Sequence, residues 1–252
     1  MLDIDFTASS TQLVSASVDG SASVWDVETG QRVKRLRHHT DIVNTVAAAS
    51  HDPHLFVSAS DDGYLLLHDT RALKRYTAAY AHNYPIFASA FSTAASGLSG
   101  CVYHAGLDSV VYCHDLRALS RPLYSIECHA DSVTGIALSA DDTLLASHSM
   151  DGTIALCNVQ PYTPHPSRLL AQYRSTAHDH ERNLLRCSLS PDSALLSGGS
   201  ADRVVSVWEC ASGEVRWRLP GHKGCVNSFV FHPTEPVIAS ASNDKRIFVG
   251  EL

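Results

Sequence analysis

Six aspartates recur at near-equal steps along the chain. They are Asp19, Asp62, Asp108, Asp151, Asp202 and Asp244, separated by 43, 46, 43, 51 and 42 residues. Around each stands much the same phrase: an apolar run, a small or hydroxyl residue two before the Asp, and a second apolar run. LVSASVDGSASVWD (13–26), FVSASDDGYLLLHD (56–69) and VIASASNDKRIFVGE (237–251) show it plainly. A period of this length marks a repeat architecture, in which each repeat is one supersecondary unit that must stack on its neighbours. Six repeats averaging 42 residues use up all 252, so no length is left for a second domain.

The repeat unit reads as β. In the last one, VNSFVF (226–231), VIASAS (237–242) and RIFVGE (246–251) are short strand runs broken by HPTEP and NDK. Such runs, bounded by Pro, Asp and Gly turns, are the strand signal. Four short strands per repeat and a Trp-Asp dipeptide at 25–26 point to an all-β WD40 β-propeller over 1–252. Counting strands gives six sets of three plus five outer strands, hence five full blades and a three-stranded remnant. Either the ring closes imperfectly with six blades, or a seventh is missing at the N-terminus, which is the preferred reading. A ring without a strand to seal it is expected to close poorly and to aggregate through its open edges.

The loop before each turn carries a histidine at a constant offset. His39, His82, His129, His178 and His222 precede Asp62, Asp108, Asp151, Asp202 and Asp244 by 22 to 26 residues. A buried carboxylate is costly unless it receives hydrogen bonds, and the imidazole can supply one. A strand hydroxyl and a Trp six residues after the Asp complete the expected set. That last place holds Trp25, His68, His114, Cys157, Trp208 and Gly250. Asp202 with His178, Ser200 and Trp208 is therefore expected to form the one complete set, and Asp202→Ala to destabilise more than Asp244→Ala. The His partner of Asp19 would fall before Met1.

The formal charge of −7 argues against a broad grip on nucleic acid, which needs many Lys and Arg against phosphate. Seven cysteines, an odd number without a C-x-x-C pair, read as reduced thiols of a nuclear or cytosolic chain. The N-terminus lacks signal-peptide character, and no apolar run reaches the roughly 18 residues of a membrane helix. Ser, His and Asp recur with the blade period, which favours structural pairing over a hydrolase triad. The His178-Asp179-His180 cluster lacks the Cys or second spaced pair of a structural zinc site, and there is no phosphate-binding G-x-x-x-x-G-K-[ST] loop. No catalytic residue, metal, cofactor or small-molecule substrate is expected. The basic run 33–37 reads as a solvated outer strand, and Arg168, Arg174 and Arg182 make the long segment 161–183 a docking candidate. Loop residues beside each histidine should rim one face and bind protein: Asp41, Tyr84, Asp131, Arg182 and Lys223. A mixed-charge rim with one aromatic suits a protein partner better than a phosphate backbone.

Several longer phrases are individually distinctive: HADSVTGIALS (129–139), MDGTIALCNVQPYTP (150–164), NLLRCSLSPD (183–192), LPGHKGCVN (219–227) and the close FHPTEPVIASASNDKRIFVGEL. Together they resemble the WD40-repeat protein family of the U5 small nuclear ribonucleoprotein, a spliceosome component. Gly250-Glu251 in place of Trp-Asp is the most specific match. The resemblance implies seven blades, of which these would be the last six. It also implies a non-enzymatic nuclear scaffold in pre-mRNA splicing, whose partners are the large scaffold protein of the U5 particle and other spliceosomal proteins, with RNA contact mainly indirect. The chain departs from the pattern in the absent first blade, in His68 and His114 standing for Trp, and in a longer loop at 93–100. An alternative function is substrate receptor of a cullin-type ubiquitin ligase, since His68-Asp69-Thr70-Arg71 and His114-Asp115-Leu116-Arg117 approximate a W-D-x-R phrase.

Overall fold

The structure is a computed structural model and describes residues 2–72, 76–93, 100–163, 167–174, 178 and 183–252. It is all-β, of the six-bladed propeller class, and divides into two compact units, Met1–Ser125 and Ile126–Leu252. Every blade is a meander of antiparallel strands.

The first unit begins with a blade of β1 (Asp3–Phe6), β2 (Gln12–Ala16), β3 (Ala22–Asp26) and β4 (Arg32–Leu36). The second blade has β5 (Val43–Ala48), β6 (Leu55–Ser60), β7 (Tyr64–Asp69) and β8 (Ala78–Ala81). The third has β9 (Ile86–Phe91), β10 (Cys101–Gly106), β11 (Val110–Asp115) and β12 (Pro122–Glu127), with a short 3-10 turn at Leu116–Ala118. Middle strands are buried on both faces, so Phe56, Val57 and Ala59 of β6 are all inaccessible. Val14, Val24, Val43 and Phe56 fill the layer between the first two blades; Val57, Leu65, Ile86 and Val102 fill the next. Burying each such side chain stabilises by roughly 1.5–3 kcal/mol. Polar bridges add register: Asp3 Oδ2 accepts from Thr45 Oγ1 (2.7 Å) and Val46 N (3.1 Å), and Asp5 Oδ2 from Ala48 N (2.8 Å).

The second unit holds a blade of β13 (Val133–Leu138), β14 (Leu144–Ser149), β15 (Thr153–Asn158) and β16 (Leu169–Arg174). Next come β17 (Cys187–Leu189), β18 (Leu195–Gly198), β19 (Val204–Glu209) and β20 (Val215–Pro220). The last blade has three strands, β21 (Val226–Phe231), β22 (Val237–Ser242) and β23 (Ile247–Glu251). Five four-stranded sheets and one of three match the count made from the sequence. Trp208, Ile154 and Leu196 pack the first layer of this unit, and Val207, Phe229 and Ile238 the second. Ile247 and Val249 on β23 stand 71% and 69% exposed, an open strand edge among the described residues.

Candidate functional site

The loops that carry the rim residues are fixed from below by the histidine–aspartate sets. In the second blade His39 Nδ1 donates to Asp62 Oδ2 at 3.0 Å, while Thr40 N and Tyr64 N donate to the same carboxylate, each at 2.9 Å. Burial pushes Asp62 up, but these donors hold it at about 2. A neutral ring that gives its Nδ1 proton to a carboxylate presents Nε2 as an acceptor. Here Nε2 lies 2.8 Å from Ser58 Oγ, and the hydroxyl donates to it. The same oxygen then accepts from His68 Nε2 at 2.8 Å. In the first blade Trp25 Nε1 donates to Ser15 Oγ at 2.8 Å. His68 thus does in its blade what Trp25 does in its own.

The fourth and sixth blades repeat the pattern. His129 Nδ1 is 3.2 Å from Asp151 Oδ2 and its Nε2 2.8 Å from Ser147 Oγ; Ala130 N, Thr153 N and Thr153 Oγ1 complete the carboxylate's shell. His222 Nδ1 is 3.2 Å from Asp244 Oδ2 and its Nε2 2.9 Å from Ser240 Oγ, with Lys223 N and Arg246 N as further donors.

The third blade is a histidine version. His104 stands where four of the other blades have serine, so the loop ring has no hydroxyl to meet and turns over. His82 uses Nε2 for Asp108 (3.2 Å) and Nδ1 for the Tyr84 carbonyl (3.2 Å). Tyr112 OH also donates to Asp108. His114 Nδ1 donates to the Leu119 carbonyl at 3.0 Å, so its Nε2 accepts from His104 Nε2–H, also at 3.0 Å. Burial first, and the mutual proximity of the rings second, hold His104 well below its ordinary pKa.

The fifth blade corrects the sequence reading. The hydroxyl that meets the histidine lies four before the Asp, at Ser58, Ser147 and Ser240, and the fifth blade has Gly198 there. The serine two before does something else. Ser60, Ser149, Ser200 and Ser242 accept from the backbone N–H of their own Asp at 3.1–3.3 Å. His178 does not reach Asp202. Its ring lies 5.2 Å from that of His148 and hydrogen-bonds the Ser149 backbone, in the blade before. Among the described residues Asp202 accepts from Val204 N alone. His178, Ser200, Asp202 and Trp208 therefore form no complete set, and the expected ranking of substitutions inverts. Asp151→Ala is expected to cost about 1–3 kcal/mol, because it strands four donors including the buried His129 ring. Asp244→Ala should likewise lower the melting temperature more than Asp202→Ala. Equal shifts for Asp151→Ala, Asp244→Ala and Asp202→Ala in thermal melts would contradict this assignment.

Asp41, Tyr84, Asp131 and Lys223 are exposed on the loops that these sets anchor. Arg182 lies outside the described residues, as do Asp179 and His180. Two of the three basic residues in the run at 33–37 are engaged: Arg35 pairs with Asp19, and Lys34 donates to the Thr70 and Ala72 carbonyls; Arg32, just before the run, lies over Trp25. Arg71 and Arg117 fold back on Asp69 and Asp115, two residues earlier. Among the described residues no group of three or more His, Cys, Asp or Glu could hold a metal ion.

Comparison with known proteins adds a family context. The model of the WD domain, G-beta repeat matches residues 1–26, 30–69, 120–158, 171–209 and 213–249. The longest unmatched stretch, 70–119, contains the His104 and His114 strands. The chain is 40% identical over 228 residues to the U5 small nuclear ribonucleoprotein 40 kDa protein of Mus musculus, covering 90% of this chain and 62% of that protein. It is 36% identical over 252 residues to the protein of the same name from Dictyostelium discoideum, covering 100% and 69%. With the Pre-mRNA-splicing factor cwf17 of Schizosaccharomyces pombe it shares 32% over 250 residues, covering 99% and 71%. A chain of the solved structure "Crystal Structure of Mitotic Checkpoint Complex" superposes with a TM-score of 0.83 at 18% identity, covering 99% of this chain and 73% of that one, which shows a common fold. The chain thus spans about 62% of the length of its mammalian relatives.

Proposed function

The chain belongs to the WD domain, G-beta repeat family and, within it, to the family of the U5 small nuclear ribonucleoprotein 40 kDa protein, and from that premise we propose that it is a non-enzymatic scaffold subunit of the U5 particle. It acts in pre-mRNA splicing, in the nucleus, by presenting loop rims to large protein partners, the central U5 scaffold protein first among them. The supporting observation is the exposure of Asp41, Tyr84, Asp131 and Lys223 on loops whose histidines are locked to buried carboxylates. A rim held rigid before binding loses little freedom on docking, which favours affinity. A net charge of −7 suits RNA contact made through a protein partner rather than directly. The cullin-receptor reading loses its motivation, because Arg71 and Arg117 are spent on local aspartates.

The triple variant Tyr84→Ala, Asp131→Arg, Lys223→Glu is expected to reduce recovery of the U5 scaffold protein in pull-downs by about tenfold or more. Its melting temperature should stay within a degree or two of the parent, roughly the effect of surface substitutions. Tight binding of naked U5 RNA at physiological salt, with no binding of the scaffold protein, would overturn this function.

A further inference from the structure

In the first two blades the place six after the Asp holds a ring that donates to the strand serine. Trp25 Nε1 donates to Ser15 Oγ and His68 Nε2 to Ser58 Oγ, each at 2.8 Å. In the sixth blade that place is Gly250 of β23, opposite Ile238 as Trp25 is opposite Leu13. The serine is still there: Ser240 is buried in β22. His222 gives its Nδ1 proton to Asp244, so Ser240 Oγ donates to His222 Nε2 at 2.9 Å. Among the described residues no other ring reaches Ser240 Oγ. Its oxygen keeps the acceptor capacity that Ser15 and Ser58 use.

With no side chain at position 250 a pocket remains. A Cβ at Gly250 would meet nothing within 4 Å, and a cavity of about 180 Å³ opens there. Val205, Leu219, His222, Ile238, Ser240 and Phe248 line it with Gly250. The fifth blade shows what such walls hold. There Trp208 shares a buried cluster with Ile154 and Tyr173 of the preceding blade, its ring 6.2 Å from that of Tyr173. Ile154 and Tyr173 are paired across β15 and β16. Val205 and Leu219 are the corresponding pair across β19 and β20, with Val205, like Ile154, three after its Asp. The pocket is thus walled like the place of Trp208 and carries the serine that Trp25 meets. A cavity of about 150 Å³ takes up a benzene ring, so this one has room for most of an indole. Apolar walls with one acceptor suit an indole, which has apolar faces and a single N–H to satisfy.

We propose that this pocket receives the indole of a tryptophan presented by a partner protein, with the indole N–H donating to Ser240 Oγ. Phe248 and Val249, which also border the pocket, are exposed, so the site can be entered from solvent. The Phe248 ring stands 4.5 Å from that of His222 and offers the incoming ring an aromatic neighbour. The partner's tryptophan would do for the sixth blade what Trp25 does for the first. That the tryptophan comes with a protein rests on the scaffold function proposed above; the pocket's affinity for the side chain does not.

Calorimetric titration of the 252-residue chain with N-acetyltryptophanamide tests the pocket. One-to-one binding is expected, about fivefold tighter than that of the 1-methylindole analogue, which lacks the N–H. Ser240→Ala, with its thermal melt checked, should remove that preference. Gly250→Trp should abolish binding of both probes and raise the melting temperature by about 2 °C or more. No saturable binding to the unaltered chain, equal affinity of that chain for the two probes, or undiminished binding to a folded Gly250→Trp variant overturns the assignment. A photo-crosslinking residue at Val249, in complexes assembled in cells, is expected to capture a tryptophan-containing peptide of another protein. Capture of a segment of this protein itself, or of a peptide without tryptophan, overturns the partner as occupant. A tryptophan-containing peptide from a protein outside the U5 particle would uphold the pocket and overturn the U5 function.

Discussion

Between pH 6.5 and pH 3.5 the chain is expected to lose on the order of 4 kcal/mol of stability through His148 alone. His148 is fully buried in β14, and burial, with the nearby charges of His178 and His129, lowers it to about 3. Its neighbours show why. Thr134 Oγ1 donates to the Leu185 carbonyl at 2.8 Å, so at 3.1 Å it accepts from His148 Nδ1–H. Among the described residues His148 Nε2 is buried without a hydrogen-bond partner, and a proton added there would find no acceptor among them. The folded state therefore stays neutral while the unfolded chain takes up a proton below its ordinary pKa of about 6.5. The unfolded state binds more protons in that window, so stability falls as pH falls. His104, His114 and His178 are lowered too and add in the same direction. His82 and His129 are raised; their contributions are complete below 6.5 and fade as pH rises through the raised values. Asp62, held at about 2, adds a further loss only below its ordinary 3.8. Stability should peak near pH 6.5. Melts from pH 3.5 to 9 test this, and His148→Asn should flatten the acidic limb. An acidic limb unchanged in that variant would rule out His148 as its source.

Gly106→Ala is expected to cost about 3 kcal/mol, the upper end for overpacking a tight interior. Gly106 ends β10 at a register shift against β9. A Cβ there would lie 2.0 Å from the Pro85 carbonyl oxygen and 2.9 Å from Ile86 Cα, both main chain. Backbone on both sides cannot rotate away as a flexible side chain could. The Leu107 N–H to Pro85 carbonyl hydrogen bond, 3.1 Å, would open with any shift. Gly30, with nothing within 4 Å of its Cβ, is the control for space, although its φ of +66° brings a backbone cost of its own. That cost is roughly 1 kcal/mol. If Gly106→Ala melted at or above the temperature of Gly30→Ala, the close approach would not be the constraint it is taken to be.

The strands were legible because their signal is periodic and local. The last blade's three runs, read at 226–231, 237–242 and 246–251, appear at Val226–Phe231, Val237–Ser242 and Ile247–Glu251. Four of the five histidine pairings follow from spacing, since loop, strand and hairpin have nearly constant length in those repeats. His178 fits the same spacing but sits beside His148. The two serines of each S-x-S-x-D phrase are chemically alike, and sequence could not divide their roles. The strand places one against the histidine, while the turn places the other on the aspartate's own N–H.

That division between the two serines has a consequence for how such a chain can change. The hairpin secured by Ser60, Ser149, Ser200 or Ser242 needs nothing beyond its own few residues. The place six after the aspartate is consequently released from maintaining the turn, and it holds Trp, His, Cys and Gly in different blades. Each blade carries one position at which new chemistry can be tried without rewriting the scaffold. The paired histidines of the third blade are one such experiment on that template.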